Sequence, residues 1–260
     1  MIDIHTHILP GIDDGASDWE ETLRLANAAV EDGITAVIAT PHHANGKYLN
    51  AAHEVKQLAE RVDKRLNEEG IPLRVLHGQE IRIHDGLPEA WERGELLSLT
   101  GSRYMLIELP SSHIPKSMGE LMHELAVLGL VPIIAHPERN SAIARDPRLL
   151  EELVMRGAFA QVTSHSLLGG FGRGVERTAW TLCRSGLIHI VSSDAHDTNR
   201  RGFKLKEAYQ VIGKRLGESY VDYYQSNASR IVSDSPLELT RGESYVKSTS
   251  FSRFLRRLIP

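Results

Sequence analysis

Thirteen histidines stand in this chain, and where several of them fall limits what it can fold into and do. Seven short apolar runs, each bounded by turn or polar residues, recur at 2–8, 35–42, 73–83, 104–109, 131–136, 158–165 and 189–196. Six of the seven deliver an imidazole or a carboxylate toward their carboxyl ends: His5 and His7, His42, Glu80, Glu108, His136, then Asp194 with His196. Residues two apart on a strand share a face, so His5 pairs with His7 and Asp194 with His196. Parallel α/β folds build their sites at the carboxyl ends of the strands.

Between the runs the sequence has helical periodicity. Ser17 with Glu20 three residues on reads as a capping box, and Leu23, Ala26, Ala29 and Val30 form an apolar stripe that Gly33 closes. Leu121, Leu125 and Leu128 before Gly129 repeat the plan, as do Leu149, Leu150, Leu153 and Val154 before Gly157. Alternating strands and helices imply parallel pairing with helical crossovers. Val131-Pro132-Ile133-Ile134-Ala135 is apolar on both sides, which suits a sheet covered on both faces. The expected fold is α/β: a single barrel of about seven βα units, with a doubly wound open sheet as the alternative. At 260 residues the chain matches the roughly 250 of a one-domain α/β barrel.

One domain is expected over 1–238, followed by a basic, polar tail at 239–260. Residues 241–260 hold five Lys and Arg against Glu243, a net of +4 that leaves −8 on the rest of a chain totalling −4. Phe251, Phe254, Leu255 and Leu258 would share one face of a short basic amphipathic helix, and a frayed solvated terminus is the plainer alternative. An acidic body lacks the basic groove that a nucleic-acid partner needs. A single cysteine, Cys183, excludes an internal disulfide framework and a multi-cysteine metal site. No apolar run approaches the roughly 18 residues of a membrane span, and no secretory leader is visible, so the expected compartment is the cytoplasm.

Eight convergent titratable groups buried without a counter-charge would be very costly, and a cation resolves that cost. Without thiolates, mixed imidazole and carboxylate donors suit Mn, Fe or Zn, with Mg at oxygen-rich positions. One octahedral ion cannot use eight side chains and keep an open position, so two or three ions are expected. Asp14, Glu80, Glu108 and Asp194 supply four negative charges and three divalent ions six positive ones. That surplus suits a hydroxide nucleophile and an anionic substrate. Arg139 and Arg201 follow His136 and His196 closely enough to reach the same end, and guanidinium matches phosphate oxygens. A nearby acid, Glu138 or Asp197, offers each a surface salt bridge instead.

Asp3-Ile4-His5-Thr6-His7, Thr40-Pro41-His42, Gly78-Gln79-Glu80, Ala135-His136-Pro137 and Ser193-Asp194-Ala195-His196 resemble the PHP (polymerase and histidinol phosphatase) superfamily over roughly residues 1–235. Ile8-Leu9-Pro10-Gly11-Ile12-Asp13-Asp14-Gly15, Ile107-Glu108, the segment from His136 to Arg139 and Asn227-Ala228-Ser229-Arg230-Ile231-Val232 resemble one branch of it. That branch is the bacterial PHP-type protein-tyrosine phosphatases of capsule and exopolysaccharide operons. The resemblance implies a distorted (β/α)7 barrel holding three divalent ions, usually manganese. It implies His5, His7, Asp14, His42, Glu80, Glu108, His136, Asp194 and His196 as metal ligands, with Asp14 favoured over its neighbour Asp13. Arg139 and Arg201 would bind phosphate, and Asp14 or His42 would give acid help to the leaving group. The implied substrate is phosphotyrosine in the tail of a tyrosine autokinase, attacked by a metal-bound hydroxide. Membrane contact would come only through a membrane-bound kinase or the basic tail.

Cysteine-based tyrosine-phosphatase chemistry is excluded, because it needs an Arg six positions after the nucleophile and position 189 is His. Three alternatives stand beside the main reading: a small-molecule phosphatase of the histidinol-phosphate type, a phosphodiesterase or nuclease, and a non-catalytic PHP module. The last predicts missing ligands, and none is missing. His43, His53, His77, His84, His113, His123 and His189 are expected outside the site, with His165 at its rim. The glycine-rich segment 169–174 is expected to be a loop, since it lacks the Lys-Ser/Thr of a nucleotide site.

Overall fold

A computed structural model describes residues 1–239, so the expected tail helix lies outside the described residues. The apolar runs become β1 (Ile2–Thr6), β2 (Ala36–Ala39), β3 (His42–His43), β4 (Arg74–His77), β5 (Glu80–Arg82), β6 (Tyr104–Glu108), β7 (Val131–Ala135), β8 (Phe159–Thr163) and β9 (Ile190–Ser192). The helices are α1 (Trp19–Glu31), α2 (Ala52–Glu68), α3 (Leu87–Glu92), α4 (Met118–Val127), α5 (Ser141–Arg145), α6 (Arg148–Met155), α7 (Ser164–Leu167), α8 (Arg173–Arg184), α9 (Leu205–Leu216) and α10 (Glu218–Val232).

All strand pairs within the two sheets are parallel, in the orders β1-β2-β4 and β3-β5-β6-β7-β8-β9. Two runs expected as single strands are each broken in the middle. At 40–41 the break falls on Pro41, which has no N–H to give a ladder. At 78–79 it falls on Gly78, where a Cβ would stand 3.0 Å from both Ile38 and Leu99 side chains. Because β2 runs on into β3, and β4 into β5, the first sheet passes directly into the second. The other edge meets β1 through a Thr6–Ala195 bridge, flanked by His7 N donating to Ala195 O at 2.8 Å and Asp194 N to His5 O at 2.9 Å. The result is the distorted seven-run barrel.

Strand alternation sorts the core. Val37, Ile81, Met105, Ile107, Ile134 and Val162 face outward to the helices, whereas Ile38, Leu106, Ile133 and Ile190 pack inside. Ala228 and Ile231 of α10 join that inner cluster. Toward the carboxyl end the same inward positions become polar: Glu80, Glu108, Gln161 and Thr163. In β1, Asp3 pairs with Val37 and Thr6 with Ala39, so Ile4 and His5 together oppose Ile38. This bulge interrupts the alternation, so His5 turns inward beside Ile4.

The helix ends follow their local chemistry. Asp18, not Ser17, caps α1: its Oδ1 accepts from Glu21 N at 2.8 Å, and the expected capping box does not form. Gly33, Gly129 and Gly157 stand just past α1, α4 and α6 with φ of 85°, 74° and 102°, the left-handed geometry that ends a helix.

Candidate metal centre

At the carboxyl end of the barrel all nine expected ligands converge. Four overlapping groups could each hold an ion: His7, Asp14, His42 and His196; His5, His7 and Glu80; His5, His136 and Asp194; and His42, Glu80 and Glu108. His5 and His7 bring their Nε2 atoms to 3.2 Å of each other. Asp194 Oδ1 lies 3.3 and 3.2 Å from those two nitrogens. Glu80 is fully buried, with Oε1 2.7 Å from His136 Nε2 and Oε2 2.8 Å from His42 Nδ1. Asp14, the most exposed of the set at 44%, lies 3.3 Å from His42 Nε2 and 3.5 Å from His196 Nε2.

Adjacent Asp13 and Asp14 divide their work. Asp13 belongs to none of the four groups. Its Oδ2 lies 2.7 Å from His7 Nδ1 and accepts from His42 N at 3.2 Å, while Oδ1 accepts from Gly15 N at 2.9 Å. It therefore orients the His7 ring from behind, as carboxylates do for metal-binding imidazoles. Sequence reasoning treated Asp13 only as a rival ligand and missed this role. Asp3 was also missed: fully buried, its Oδ1 accepts from His5 N at 3.3 Å and Ser193 N at 3.1 Å, tying together the two histidine-bearing segments.

Arg139 and Arg201 form neither of the surface salt bridges that sequence offered. Both reach Asp194 Oδ2, at 2.9 and 2.7 Å. Glu138 turns inward and accepts from Thr163, and Asp197 accepts backbone N–H groups of 199–201. A cavity of about 260 Å³ opens between them, lined by His42, Glu108, His136, Arg139, Asp194 and Arg201 among others. Two aromatic rings lie against lining residues. Tyr48 stacks at 8° on His42 with centroids 6.1 Å apart, and Arg139 lies over the Phe171 ring at 5.3 Å. His136 and Asp194 adopt left-handed backbone with φ of 32° and 57°, strain that clusters at functional sites.

The charges interlock. Burial opposes protonation of His7, but Asp13 beside it pushes the imidazole up to about 9. His42 is likewise opposed by burial, yet Asp14 and Glu80 push it up to about 11. Burial and the neighbouring Glu80 raise Glu108 to about 7. Burial and then Arg139 bring His136 down to about 4. Against the cost of burial, the imidazoles around Glu80 and the Arg139 guanidinium beside Asp194 hold these two carboxyls well below the usual carboxylate range. Protons on imidazoles thus stand where cations are wanted.

The remaining histidines stay apart. His43 Nδ1 meets Asn50 O at 2.7 Å. His165, expected to end a strand, lies in the first turn of α7 instead, and its Nε2 meets Arg200 O at 2.7 Å, next to Arg201. Cys183 is buried in α8, and burial pushes its thiol up to about 12.

A parallel barrel whose carboxyl mouth gathers imidazoles and carboxylates in this way is that of a metal-dependent hydrolase. Residues 1–233 match the family described as capsular polysaccharide synthesis, CpsB/CapC, and the chain belongs to that family. It is 44% identical to tyrosine-protein phosphatase YwqE of Bacillus subtilis (strain 168) over 232 residues, 89% of this chain and 91% of that one. Tyrosine-protein phosphatase CpsB of Streptococcus pneumoniae is 27% identical over 240 residues, 90% of this chain and 99% of that one. A solved structure from work on YwqE and CpsB, described as metal-dependent tyrosine phosphatases, superposes with a TM-score of 0.90 at 43% identity, covering 92% of this chain and 97% of that one. A β-aspartyl dipeptidase from Fervidobacterium islandicum AW-1, at TM-score 0.51 and 15% identity, shares the fold alone.

Proposed function

We propose that this chain is a metal-dependent protein-tyrosine phosphatase that removes phosphate from phosphotyrosine in the tail of a bacterial tyrosine autokinase, and so regulates capsular or exopolysaccharide synthesis. The observation that carries the reading is the placement of Arg139 and Arg201, both on Asp194 Oδ2, at the edge of a nine-residue ligand cluster. Two guanidiniums beside a cationic centre suit a phosphate dianion. The relatives named tyrosine-protein phosphatases support the choice of ester.

The donor set fits divalent ions. Glu80 Oε2 and His42 Nδ1 lie 2.8 Å apart but out of line for a hydrogen bond, and with His196 Nε2 they are buried polar atoms without a hydrogen-bonded partner, costly unless something else binds them. His5, His7, Asp14, His42, Glu80, Glu108, His136, Asp194 and His196 would hold three ions. Manganese is the expected metal, and iron, zinc or magnesium suit the same donors. When bound, the ions supply a nucleophile from water at neutral pH and offset charge on the transferring phosphoryl group.

The chain's own residues do the rest. Arg139 and Arg201 clamp the phosphoryl oxygens through their planar donors. Tyr48 against His42 and Phe171 against Arg139 put aromatic surface behind the lining, which suits an aryl ester. Asp14 or His42, paired at the solvent side, relays a proton from solvent to the leaving oxygen. Phenolate, with a parent pKa near 10, needs only modest help. The work is cytoplasmic in this reading; among the described residues no helix is long and apolar enough to cross a membrane. Contact with a membrane comes through the kinase or the 239–260 tail, and nucleic acid is not a partner.

The test is chelator-stripped protein assayed on a phosphotyrosine peptide and on histidinol phosphate, with and without Mn²⁺. Expected is Mn²⁺-dependent release from the peptide, lost in His136→Ala and weak on histidinol phosphate. Preference for histidinol phosphate would replace the substrate class, and no turnover of either by the metal-loaded protein would remove the phosphatase reading.

A further inference from the structure

We propose that Gln161 is a positioning residue that sets two candidate ligands, His5 and His136, through a single amide oxygen. The inference rests on the metal reading above. Gln161 lies on β8, fully buried, with its side chain inside the barrel. Its Oε1 lies 3.2 Å from His5 Nδ1 and 3.4 Å from His136 N. Those two residues sit on different strand ends, β1 and the end of β7, and both imidazoles present Nε2 to the carboxylates of the centre.

The orientation of the amide follows from the donors around it. A backbone N–H is always a donor, so the atom facing His136 N must be the acceptor, Oε1 rather than Nε2. The same oxygen then faces His5 Nδ1, which must donate to it. A proton held on Nδ1 leaves the lone pair on Nε2, the nitrogen turned toward Glu80 and Asp194. Gln161 thus selects the His5 tautomer that can bind an ion. Its second bond supports His136 where φ is 32°, a conformation that the surroundings must impose.

Packing does not account for this residue. Gln161 Nε2 is buried with no hydrogen-bond partner, a burden that leucine or methionine would not carry in the same space. The amide is also neutral. It accepts from His5 without adding a further negative charge to a centre that already holds Glu80, Glu108, Asp14 and Asp194.

The experiment compares wild type, Gln161→Leu and Gln161→Glu in the full chain. Mn²⁺ content and affinity are read by competition with a chelator, and folding by circular dichroism. Gln161→Leu is expected to bind Mn²⁺ about 10- to 100-fold more weakly, the usual cost of losing an outer partner of a metal-bound imidazole. Gln161→Glu keeps the acceptor and is expected to restore binding. In wild-type protein loaded with diamagnetic Zn²⁺, ¹⁵N spectra should show a slowly exchanging proton on His5 Nδ1. That measurement stands even if Gln161→Leu does not fold, and its absence overturns the proposal. Equal titrations of wild type and Gln161→Leu overturn the positioning role alone, as does Gln161→Glu binding no better than the leucine variant. Wild type that takes up no metal overturns the metal reading and this role with it.

Discussion

Gly15 touches the site through what it lacks. A Cβ there would lie 2.0 Å from the carbonyl oxygen of His7 and 2.4 Å from its Cβ. Gly15 N also holds Asp13, which in turn holds His7. Gly15→Ala must therefore push the 13–15 turn off β1, displacing Asp13 and Asp14 together. The expected result is a loss of Mn²⁺-dependent activity of at least about 100-fold, from roughly 3 kcal/mol of lost positioning. Far-UV circular dichroism should stay near wild type. Activity within a few-fold of wild type would show that the turn can relocate. Residue types at the strand ends were enough to nominate eight of the nine convergent groups, and the family resemblance added Asp14. The difference between Asp13 and Asp14 was not legible from the residues, because both are aspartates in one turn and only the path of the chain separates them. Gln161 and Asp3 escaped for a related reason: each acts on a group that only the fold brings near, His5 Nδ1 for Gln161 and Ser193 N for Asp3, which leaves no local pattern.

Among the elements, β1 and β9 carry the most. The β1 bulge lets Ile4 remain in the inner core while His5 joins the centre, so two-residue alternation alone does not describe this strand. The sequence showed strands and helices in the right order, yet did not show where two runs break. Pro41 and Gly78 were visible in it, but whether such residues end a strand depends on neighbours brought close by the fold. At the start of β9, His189 is buried, accepts from Ala160 N at 3.1 Å, and is brought down to about 4 by burial. An unfolded histidine titrates near 6.5, so between pH 6.5 and 4 the unfolded chain binds the extra proton. Stability from this group is complete above about 6.5 and falls as pH drops toward 4, by about 3 kcal/mol in all. Urea midpoints over that range should fall less steeply for His189→Asn than for wild type, and equal slopes would remove His189 from the account.

Across the whole molecule, charge and metal are linked. His7 and His42 carry protons in the ion-free centre up to about 9 and 11, so ions must displace those protons to bind. Metal affinity is therefore expected to rise with pH through neutrality, with proton release seen by calorimetry in buffers of different ionisation enthalpy. Affinity independent of pH between 6 and 8 would count against protonated imidazoles in the ion-free state.

The barrel also has a seam. The backbone of the first strand meets that of the last through one bridge and its two flanking hydrogen bonds, with the Asp3 carboxylate spanning the join to Ser193 N. Ligands from both sides of that join, His5 and His7 on one and Asp194 and His196 on the other, would grip the same ions. The ions then act as a clasp as well as a catalyst. Stripping them should speed hydrogen exchange at the His7 and Asp194 amides by at least about tenfold, while the β6–β7 ladder opposite changes little. A cell short of the metal would on this view hold a looser barrel as well as a slower enzyme, and proteases would find the unclasped seam first.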